Sequence, residues 1–228
     1  MTKLYDYATQ QLRRLYDRHI STPSVLDDRQ YFVGARSFAA HWQALRQEAL
    51  DVARNLQQVP RFHELMAEQA EISANDGKDW RVFLLKAYGV EIKHNMALCP
   101  ELARLLRAHP EVLSATLSFL APHKHIPRHR GPFRGILRFY MGLDVPVDDQ
   151  GQVQTVLGIE DQEHRIASGQ YLLWDDTYPH EVWNRSERMR IALLLDVRRP
   201  GLPWGLEVLT RFIVKMIGWT VIVRRIAQ

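Results

Sequence analysis

The N-terminal part of the chain carries apolar residues at helical spacing. In residues 3–19, apolar side chains recur three or four positions apart and arginines occupy the opposite side, which predicts an amphipathic helix. The same pattern predicts helices over 36–57 and 100–106, with one strand between them at 80–85. We therefore predict that residues 1–112 form a mainly helical layer.

After residue 112 the pattern changes to short apolar runs separated by proline, glycine and aspartate. The predicted strands are 114–121, 134–145, 153–159, 163–174 and 189–197. Short strands at this spacing are typical of a β-sandwich or a jelly roll. The sequence thus predicts an α+β fold, in which residues 113–200 form a double-stranded β-helix core (jelly-roll, cupin-like) supported by the N-terminal helical layer.

The C-terminal segment, residues 201–228, is both apolar and basic. Its central part, EVLTRFIVKMIGWTVIVRR, is interrupted too often by arginine and lysine to span a bilayer. The pattern predicts a helix, and it fits a helix at a membrane interface, a helix docked on another surface, or part of the core.

Composition narrows the class of protein. The 228 residues suit one domain with helical additions, and 46% apolar and 25% charged residues are ordinary for a soluble globular protein. A net charge of +4 favours anionic partners. The single cysteine, Cys99, excludes an internal disulfide, and the N-terminus lacks the apolar core of a signal peptide. We predict a cytoplasmic protein, with peripheral contact at the inner membrane through residues 207–228 as an open alternative.

The stretch HKHIPRHRGPFRGILRF, residues 123–139, contains three histidines, five basic residues and no acid. A metal site, a phosphate or nucleic-acid patch and a solvated basic turn all fit it. The charge of the whole chain is nearly balanced and aromatic residues are sparse in this stretch, which is a poor nucleic-acid footprint. We therefore predict no nucleic-acid partner.

A second histidine, His180, lies in the stretch WDDTYPHEVWN. His129 lies in a loop after one predicted strand and His180 comes before a late one, an arrangement in which two opposite strands of a jelly roll could hold one metal. Neutral imidazole is a good ligand for Fe(II). The usual iron site adds a carboxylate two residues after the first histidine, but that position is Gly131. On pattern alone, Asp176 fits either a turn or a site role.

The motifs PRHRGP, LRFYMGL, DDTYPHEVW and LDVRRP occur in this order along the chain. In these motifs and their spacing the chain resembles the aspartyl/asparaginyl β-hydroxylase family of Fe(II)- and 2-oxoglutarate-dependent dioxygenases. The resemblance covers roughly residues 78–200. It implies a hydroxylase that consumes 2-oxoglutarate and O2 and releases succinate and CO2.

The resemblance also implies the metal site. The family has glycine where related iron enzymes have the carboxylate ligand, so Gly131 fits the family pattern. His129 and His180 are then the implied Fe(II) ligands. Asp176 is implied to orient a water at the vacant ligand position.

The cosubstrate residues follow from the same resemblance. Arg190 and Ser118 are implied to bind the far carboxylate of 2-oxoglutarate, and Arg138 is a further implied active-site residue. Tyr140 replaces a histidine of the family pattern but still offers one hydrogen bond. Ile136 replaces an arginine that lies near the substrate carboxylate in the animal aspartyl hydroxylases.

The resemblance leaves two substrate classes open. They are an acyl chain of an amphiphile, as in the lipid A acyl-chain hydroxylases, and an aspartyl or asparaginyl residue. The loss of arginine at 136 favours the acyl chain, and we expect the basic residues near the site to meet lipid phosphates. Those residues are Lys124, Arg128, Arg130 and Arg134. The alternative is a non-catalytic module that binds 2-oxoglutarate or a membrane with the same barrel.

Overall fold

The computed structural model describes residues 3–220. Its α-helices are α1 Lys3–Asp17, α2 Asp28–Tyr31, α3 Ala35–Ala40, α4 Trp42–Ala53, α5 Phe62–Leu65, α6 Ala70–Ser73, α7 Lys93–Leu98, α8 Pro100–Ala108 and α9 Trp204–Gly218, and short 3-10 helices occur at Leu56–Gln58 and Ala67–Gln69. The strands are β1 Trp80–Ala87, β2 Val90–Glu91, β3 Val112–Leu120, β4 His125–His129, β5 Ile136–Asp144, β6 Thr155–Ile159, β7 Gln162–His164, β8 Tyr171–Trp174, β9 His180–Asn184 and β10 Arg190–Arg198.

The strands form two antiparallel sheets that face each other. The major sheet has the order β2-β1-β3-β10-β5-β8, and the minor sheet has the order β4-β9-β6-β7. Apolar residues of the two sheets pack together between them, as where Trp80 and Leu120 meet Ile126. This is the predicted α+β architecture: a jelly-roll, or double-stranded β-helix, with helices at its N-terminal side.

Strict alternation along the major sheet separates its two faces. On β5, Leu137, Phe139 and Met141 belong to the cluster under the helices, whereas Tyr140 belongs to the cluster between the sheets. Successive side chains of a strand point to opposite faces, so a central strand buried on both faces reads as one apolar run. Side chains that alternation directs toward the minor sheet include Ser118, Arg138, Tyr140, Trp174, Arg190 and Ala192.

The helical layer covers the outer face of the major sheet. Phe32 and Phe38 pack against Phe139 of β5, with ring centroids 5.6 and 6.1 Å apart. Burial of each such ring contributes on the order of 1.5–3 kcal/mol to folding. The layer therefore holds the major sheet rigid from behind and leaves its inner face for the interior of the barrel.

Helix α9 docks with one side only. Leu206 packs with Tyr16 of α1 and with Phe133 and Ile136 of the segment that enters β5. The Tyr16 hydroxyl and the Thr210 hydroxyl are 2.7 Å apart, which fixes the helix against α1. The predicted C-terminal helix is thus present, in a docked position, and residues 221–228 of that prediction lie outside the described residues.

The sequence misplaced several elements. Residues 163–174, predicted as one strand, are β7 and β8 of different sheets, separated by a turn with Gly169 at φ +82°. Strands β4 and β9 were not predicted, because both are short and only partly apolar. The helix predicted over 36–57 is divided into α3, α4 and a 3-10 turn.

The division expected after residue 112 does not coincide with a break in the sheet. Strand β1, from the part predicted as mainly helical, pairs along β3 of the jelly roll. Within the described residues 3–220, none of the helices has the length and hydropathy needed to cross a membrane.

Candidate functional site

The two candidate metal ligands are neighbours on paired strands. His129 ends β4 and His180 begins β9, and the antiparallel register places them opposite each other. Their ring centroids are 4.1 Å apart. The ladder is irregular between Ile126 and His129, and Pro127 lies within that irregularity. An edge strand such as β4 tolerates proline. An irregularity in strand pairing changes the direction of nearby side chains, and here it turns His129 toward His180. The expectation of two opposite strands was therefore wrong: the strands are adjacent.

Each imidazole is fixed through Nδ1 by a backbone carbonyl oxygen. His129 donates from Nδ1 to the carbonyl oxygen of Pro127 at 2.8 Å, and His180 donates from Nδ1 to that of Tyr178 at 2.9 Å. Since a carbonyl oxygen only accepts, Nδ1 carries the proton and Nε2 keeps its lone pair. Burial lowers the pKa of both histidines, that of His180 most, so both rings stay neutral at physiological pH. This is the protonation state that metal ligation needs.

Gly131 brings the backbone against a carboxylate. A Cβ built at Gly131 would lie 2.2 Å from Oδ1 and 2.5 Å from Cγ of Asp176, so no side chain fits there unless Asp176 moves. The Gly131 amide also donates to the carbonyl oxygen of Asp176 at 2.7 Å. The carboxylate that a residue at 131 would otherwise supply is thus replaced in space by the carboxylate of Asp176, which comes from the β8–β9 connection.

Arg138 holds the Asp176 carboxylate in place. Its Nη2 lies 3.2 Å from Oδ2 of Asp176, and its Nε donates to Oδ1 of Asp196 at 2.9 Å. Burial raises the pKa of Asp176 to about 6, an effect that Arg138 opposes. Because Oδ2 is paired with Arg138, Asp176 presents its other oxygen, Oδ1, to the space beside Gly131.

Arg190 is a buried cation without an anion. Its side chain is 2% exposed, and within residues 3–220 it makes no ion pair within 4 Å. Its Nη1 makes long contacts, 3.3 and 3.4 Å, to the hydroxyl and carbonyl oxygens of Ser118. Its Cζ lies 5.6 Å from the centroid of the Tyr140 ring. The Ser118 hydroxyl also accepts from Trp80 Nε1 at 3.0 Å, which leaves its own proton free to donate. An arginine stays charged even when buried, so this arrangement fits an incoming carboxylate.

Buried polar atoms without a partner mark the interior of the barrel. Within the described residues they are Asp176 Oδ1, Trp174 Nε1, Arg190 Nε and His164 Nε2. Trp174 touches His180 edge to face, with centroids 4.5 Å apart, and packs in one cluster with Tyr140. Such atoms carry a cost on the order of 1–3 kcal/mol each unless a ligand or water satisfies them. Of these, Trp174 contacts His180, and Asp176 Oδ1 faces Gly131.

Asp175, next to Asp176, has a structural role. It is fully buried and forms ion pairs with Arg134 and Arg199. Arg134 also reaches Asp17 of α1 at 3.0 Å. These charges are therefore satisfied within the protein and anchor the β8–β9 connection to the N-terminal helix.

The expectation that Lys124 and Arg134 meet a lipid phosphate was wrong. Lys124 is fully buried and donates to the backbone of Ser73 and to the side chains of Asn75 and Asp76. Both cations are used internally, because the turn and helix that pack on them supply oxygen acceptors. Arg128 and Arg130 remain exposed.

Comparison with known proteins adds an independent observation. The family model described as "Aspartyl/Asparaginyl beta-hydroxylase" matches residues 39–200. The chain belongs to the aspartyl/asparaginyl β-hydroxylase family. The match confirms the resemblance in the motifs and extends it into the helical layer, to residue 39.

Two members of the family show different named substrates. An ornithine lipid ester-linked acyl 2-hydroxylase of Rhizobium tropici is 30% identical over 169 residues, which are 74% of this chain and 58% of that protein. A human aspartyl/asparaginyl beta-hydroxylase is 25% identical over 172 residues, 73% of this chain and 21% of that protein. A Pseudomonas putida prolyl-4-hydroxylase structure covers 71% of this chain and 88% of its own, at 14% identity and a TM-score of 0.47. This chain thus spans little more than half of the first relative and about a fifth of the second.

The structure brings predicted site residues together in pairs. His129 meets His180, Asp176 meets Arg138, and Ser118 meets Arg190. Two residues taken as strand or packing residues also reach the site: Trp80, which bonds Ser118, and Trp174, which packs on His180. Their place on inward-facing strand positions was the available signal, but indole rings at such positions are usually only packing.

Within residues 3–220, no group of three or more His, Cys, Asp and Glu side chains is arranged to hold a metal ion. His129 and His180 are the two candidate ligands at this place.

Substitution of Gly131 by alanine tests the contact with Asp176. We expect Gly131→Ala to displace the Asp176 carboxylate, because the added Cβ would lie 2.2 Å from Oδ1. Loss of this supporting contact should weaken Fe(II) binding by about 10–100-fold. Gly205→Ala is the matched control, because nothing lies within 4 Å of the Cβ it adds. Fe(II) affinity would be measured anaerobically for both. Equal affinity in the two variants would show that the position of Asp176 is irrelevant to the metal.

Proposed function

We propose that the protein is an Fe(II)- and 2-oxoglutarate-dependent hydroxylase that acts on an acyl chain of a membrane lipid. The observation that carries the proposal is the set of unpartnered polar atoms in the barrel interior: Asp176 Oδ1, Trp174 Nε1 and Arg190 Nε. Folding leaves such atoms unsatisfied at a cost, which a bound ligand removes. Family membership supports a hydroxylase and does not by itself specify the cosubstrate.

The chemistry of the donors supports iron. His129 and His180 offer two neutral imidazole nitrogens from adjacent strands, each fixed by a backbone carbonyl on its other nitrogen. Fixing the second nitrogen in this way orients a metal-bound histidine and sets its tautomer. Two protein ligands leave several positions open for a bidentate cosubstrate and for oxygen, as non-haem iron oxygenases require. The residues present therefore fit Fe(II).

The unpaired cation supports 2-oxoglutarate. 2-Oxoglutarate chelates a metal through its 2-oxo acid end, and its second carboxylate lies at the far end of the molecule. A carboxylate that is buried needs a cation. Arg190 offers the guanidinium and Ser118 a free hydroxyl proton, on β10 and β3 of the same face. Binding there would give Arg190 the anionic partner that it lacks within residues 3–220.

When bound, iron and 2-oxoglutarate supply oxygen activation coupled to the release of succinate and CO2. The residues of this chain would hold the metal, orient the groups around it and exclude bulk water. His129 and His180 hold the metal, and Asp176 accepts a hydrogen bond from a water at the open side near Gly131. Arg138 keeps the Asp176 carboxylate oriented. The apolar wall of Leu157, Ile159, Ile166, Trp174 and Ala192 keeps bulk water away from the reacting groups.

Two observations support an acyl chain as the substrate. The 30% identical relative is named for acyl hydroxylation of a lipid. Ile136, where the animal aspartyl hydroxylases have arginine, is 2% exposed and packs beneath α9. That position therefore offers a substrate carboxylate no cation. Arg128 and Arg130 are exposed near His129. Arg128 lies 4.0 Å from Asp161 and Arg130 donates from Nε to the carbonyl oxygen of Thr177, so their remaining N–H groups would serve an anionic head group.

Anaerobic titration with Fe(II) and then 2-oxoglutarate tests the cofactor part. We expect a visible charge-transfer band from the chelate in the wild-type protein, and a weaker band at the same ligand concentrations in Arg190→Lys, which keeps the charge and loses the fork. On exposure to air, succinate formation should depend on Fe(II). The absence of a band in folded protein would reject the oxygenase and favour a non-catalytic module on the same barrel.

Product analysis tests the substrate part. Mixed membrane lipids and an aspartyl-containing peptide would be offered separately to the loaded enzyme, and products identified by mass. A gain of one oxygen on an acyl chain is the expected result. A gain on the peptide alone would overturn the choice of lipid while leaving the reaction type intact.

A further inference from the structure

The outer face of α9 is an apolar stripe that nothing in the described residues covers. Large apolar side chains follow one another at intervals of four and then three residues, so they lie on one side of the helix. The apolar stripe consists of Trp204, Val208, Phe212, Met216 and Trp219. Trp204 is 83% exposed, Phe212 61% and Trp219 57%. Scattered exposed apolar residues are normal, but a continuous row of five marks an interaction surface.

The docked side of α9 explains why the stripe faces outward. Leu206 and Thr210 are buried against α1 and the segment entering β5, and Leu209, Ile213 and Val214 pack partly on the same cluster. The helix is thus apolar on two sides. Its inner apolar side is buried by packing within the protein, whereas its outer apolar side has no packing partner in the described residues.

Positive charge lies beside the apolar stripe. Arg211 and Lys215 are exposed on α9, and Lys215 lies 4.8 Å from the centroid of the Trp219 ring. A groove of about 390 Å³ separates this edge of α9 from the β1–β2 turn, and it is lined by four cations and no acid: Lys86, Arg198, Arg211 and Lys215. Arg211 pairs with Glu207 at 2.8 Å, whereas Lys86, Arg198 and Lys215 have no carboxylate within 4 Å in residues 3–220.

We propose that α9 is a membrane-docking helix that inserts the apolar stripe into the interface of an anionic lipid surface. An amphipathic helix of this kind binds by burying its apolar side at the headgroup level while flanking cations meet lipid phosphates. Tryptophans at both ends of the stripe fit the interfacial belt, where an apolar ring with one polar group is favoured. The charge of the groove selects anionic over neutral lipid.

The same charge argues against a second copy of the chain. A two-fold dimer through the stripe would bring Arg211 and Lys215 of one protomer close to the same residues of the other. Like charges at such an interface oppose association, and of the four groove cations only Arg211 has a carboxylate within 4 Å in residues 3–220, that of Glu207 on its own helix.

Docking through α9 would bring the barrel to its substrate. The inner side of α9 packs on Phe133 and Ile136, which lie between His129 and Arg138 in the chain. The α1 residue Arg13 donates to the carbonyl oxygen of Gly131 at 3.0 Å, so α9, α1 and the site segment form one packed unit. The docking surface stands without the proposed reaction, because lipid binding is measured separately from catalysis.

Vesicle sedimentation tests the apolar stripe. The full-length protein would be mixed with vesicles of phosphatidylcholine alone, or of phosphatidylcholine with a minority of phosphatidylglycerol. We expect binding to the anionic vesicles and a loss of at least about tenfold in partition coefficient for Phe212→Ser/Met216→Ser. The matched control Val33→Ser/Val147→Ser alters exposed apolar residues elsewhere and should bind as the wild type does.

Charge variants test the selection for anionic lipid. Lys215→Gln should weaken binding to the anionic vesicles about fivefold, as the loss of one basic contact with a charged membrane does. Arg54→Gln, an exposed arginine of a different helix end, should have no effect. Equal binding to neutral and anionic vesicles would overturn the role of the groove.

Two outcomes would overturn the docking helix itself. One is wild-type protein that stays in solution with both kinds of vesicle. The other is a wild-type dimer in sedimentation velocity, without lipid, that Phe212→Ser/Met216→Ser dissociates. Either result would leave the Fe(II) and 2-oxoglutarate titration unchanged, so failure of this proposal is distinct from failure of the proposed reaction.

Discussion

The His180→Ala variant is expected to lose Fe(II) binding and to lose turnover by more than about 100-fold, which exceeds the effect of losing only a supporting contact. His180 is one of two imidazoles that meet across the β4–β9 pair, and no third His, Cys, Asp or Glu joins them in the described residues. A site with two protein ligands has no spare one. The variant should keep its fold, because the backbone pairing of β9 with β4 and β6 does not involve the imidazole.

Anaerobic Fe(II) titration, succinate release and circular dichroism would be measured side by side. His123→Ala is the matched control, since His123 belongs to the same basic stretch but is exposed and pairs with Glu187 at 2.9 Å. It should behave as the wild type in all three measurements. Retention of tight Fe(II) binding by His180→Ala would show that the metal, if one is bound, lies elsewhere.

The Arg190→Met variant is expected to lose 2-oxoglutarate binding and yet to gain stability. Arg190 is buried without an anionic partner in the described residues, so the empty protein carries most of the desolvation cost of its charge. Replacement by an apolar side chain of similar length removes that cost. We expect the free energy of unfolding, measured by urea denaturation without cosubstrate, to rise by about 1–4 kcal/mol.

Ligand-induced stabilisation should change in the opposite sense. With Fe(II) present, 2-oxoglutarate at a hundred times its Kd should stabilise the wild type by about 2.7 kcal/mol and Arg190→Met not at all. This pattern separates a binding residue from a structural one.

Arg199→Met supplies the contrast. Arg199 is equally buried, but it pairs with Asp175 and donates to the carbonyl oxygen of Arg134 at 2.6 Å. Its replacement leaves buried acceptors without donors and should cost about 3–5 kcal/mol. If Arg190→Met destabilised the protein as Arg199→Met does, Arg190 would be a structural residue and not a ligand-binding one.

The buried arginines of the barrel differ in whether their charge is paired. Around Asp175, the carboxylate and two guanidiniums satisfy one another and fasten the β8–β9 connection to α1. At Arg190 the charge is left unpaired. Arg134 and Arg199 are both paired with a carboxylate, whereas Arg190 is buried without one in the described residues. A ligand carboxylate that binds Arg190 would explain this difference.

The paired histidines could be found from the sequence only through motif order. Neither β4 nor β9 has a strong apolar pattern, and His129 follows a proline, so the strands that carry the ligands were not predicted. The long, doubly buried strands β3, β5 and β10 were predicted to within two residues, because a run buried on both faces is apolar throughout.

The basic stretch 123–139 shows where single-sequence interpretation ends. Five cations without an acid look like one positive patch. In the structure Lys124, Arg134 and Arg138 are each satisfied by carboxylates distant in the chain, namely Asp76, Asp175 and Asp196. Side-chain partners brought by other elements decide which charges face solvent, and a linear pattern holds no information about them.

Local sequence patterns were enough to predict the class of fold and to show the motif order that identifies the family. These follow from local periodicity and residue type, which act over a few residues. Three features depend on the tertiary structure. Asp176 fills the space beside Gly131, Arg190 has no anionic partner in the described residues, and α9 docks with one side and exposes the other. Each of these depends on contacts between residues far apart in the chain, which burial and close packing fix together and no local pattern encodes.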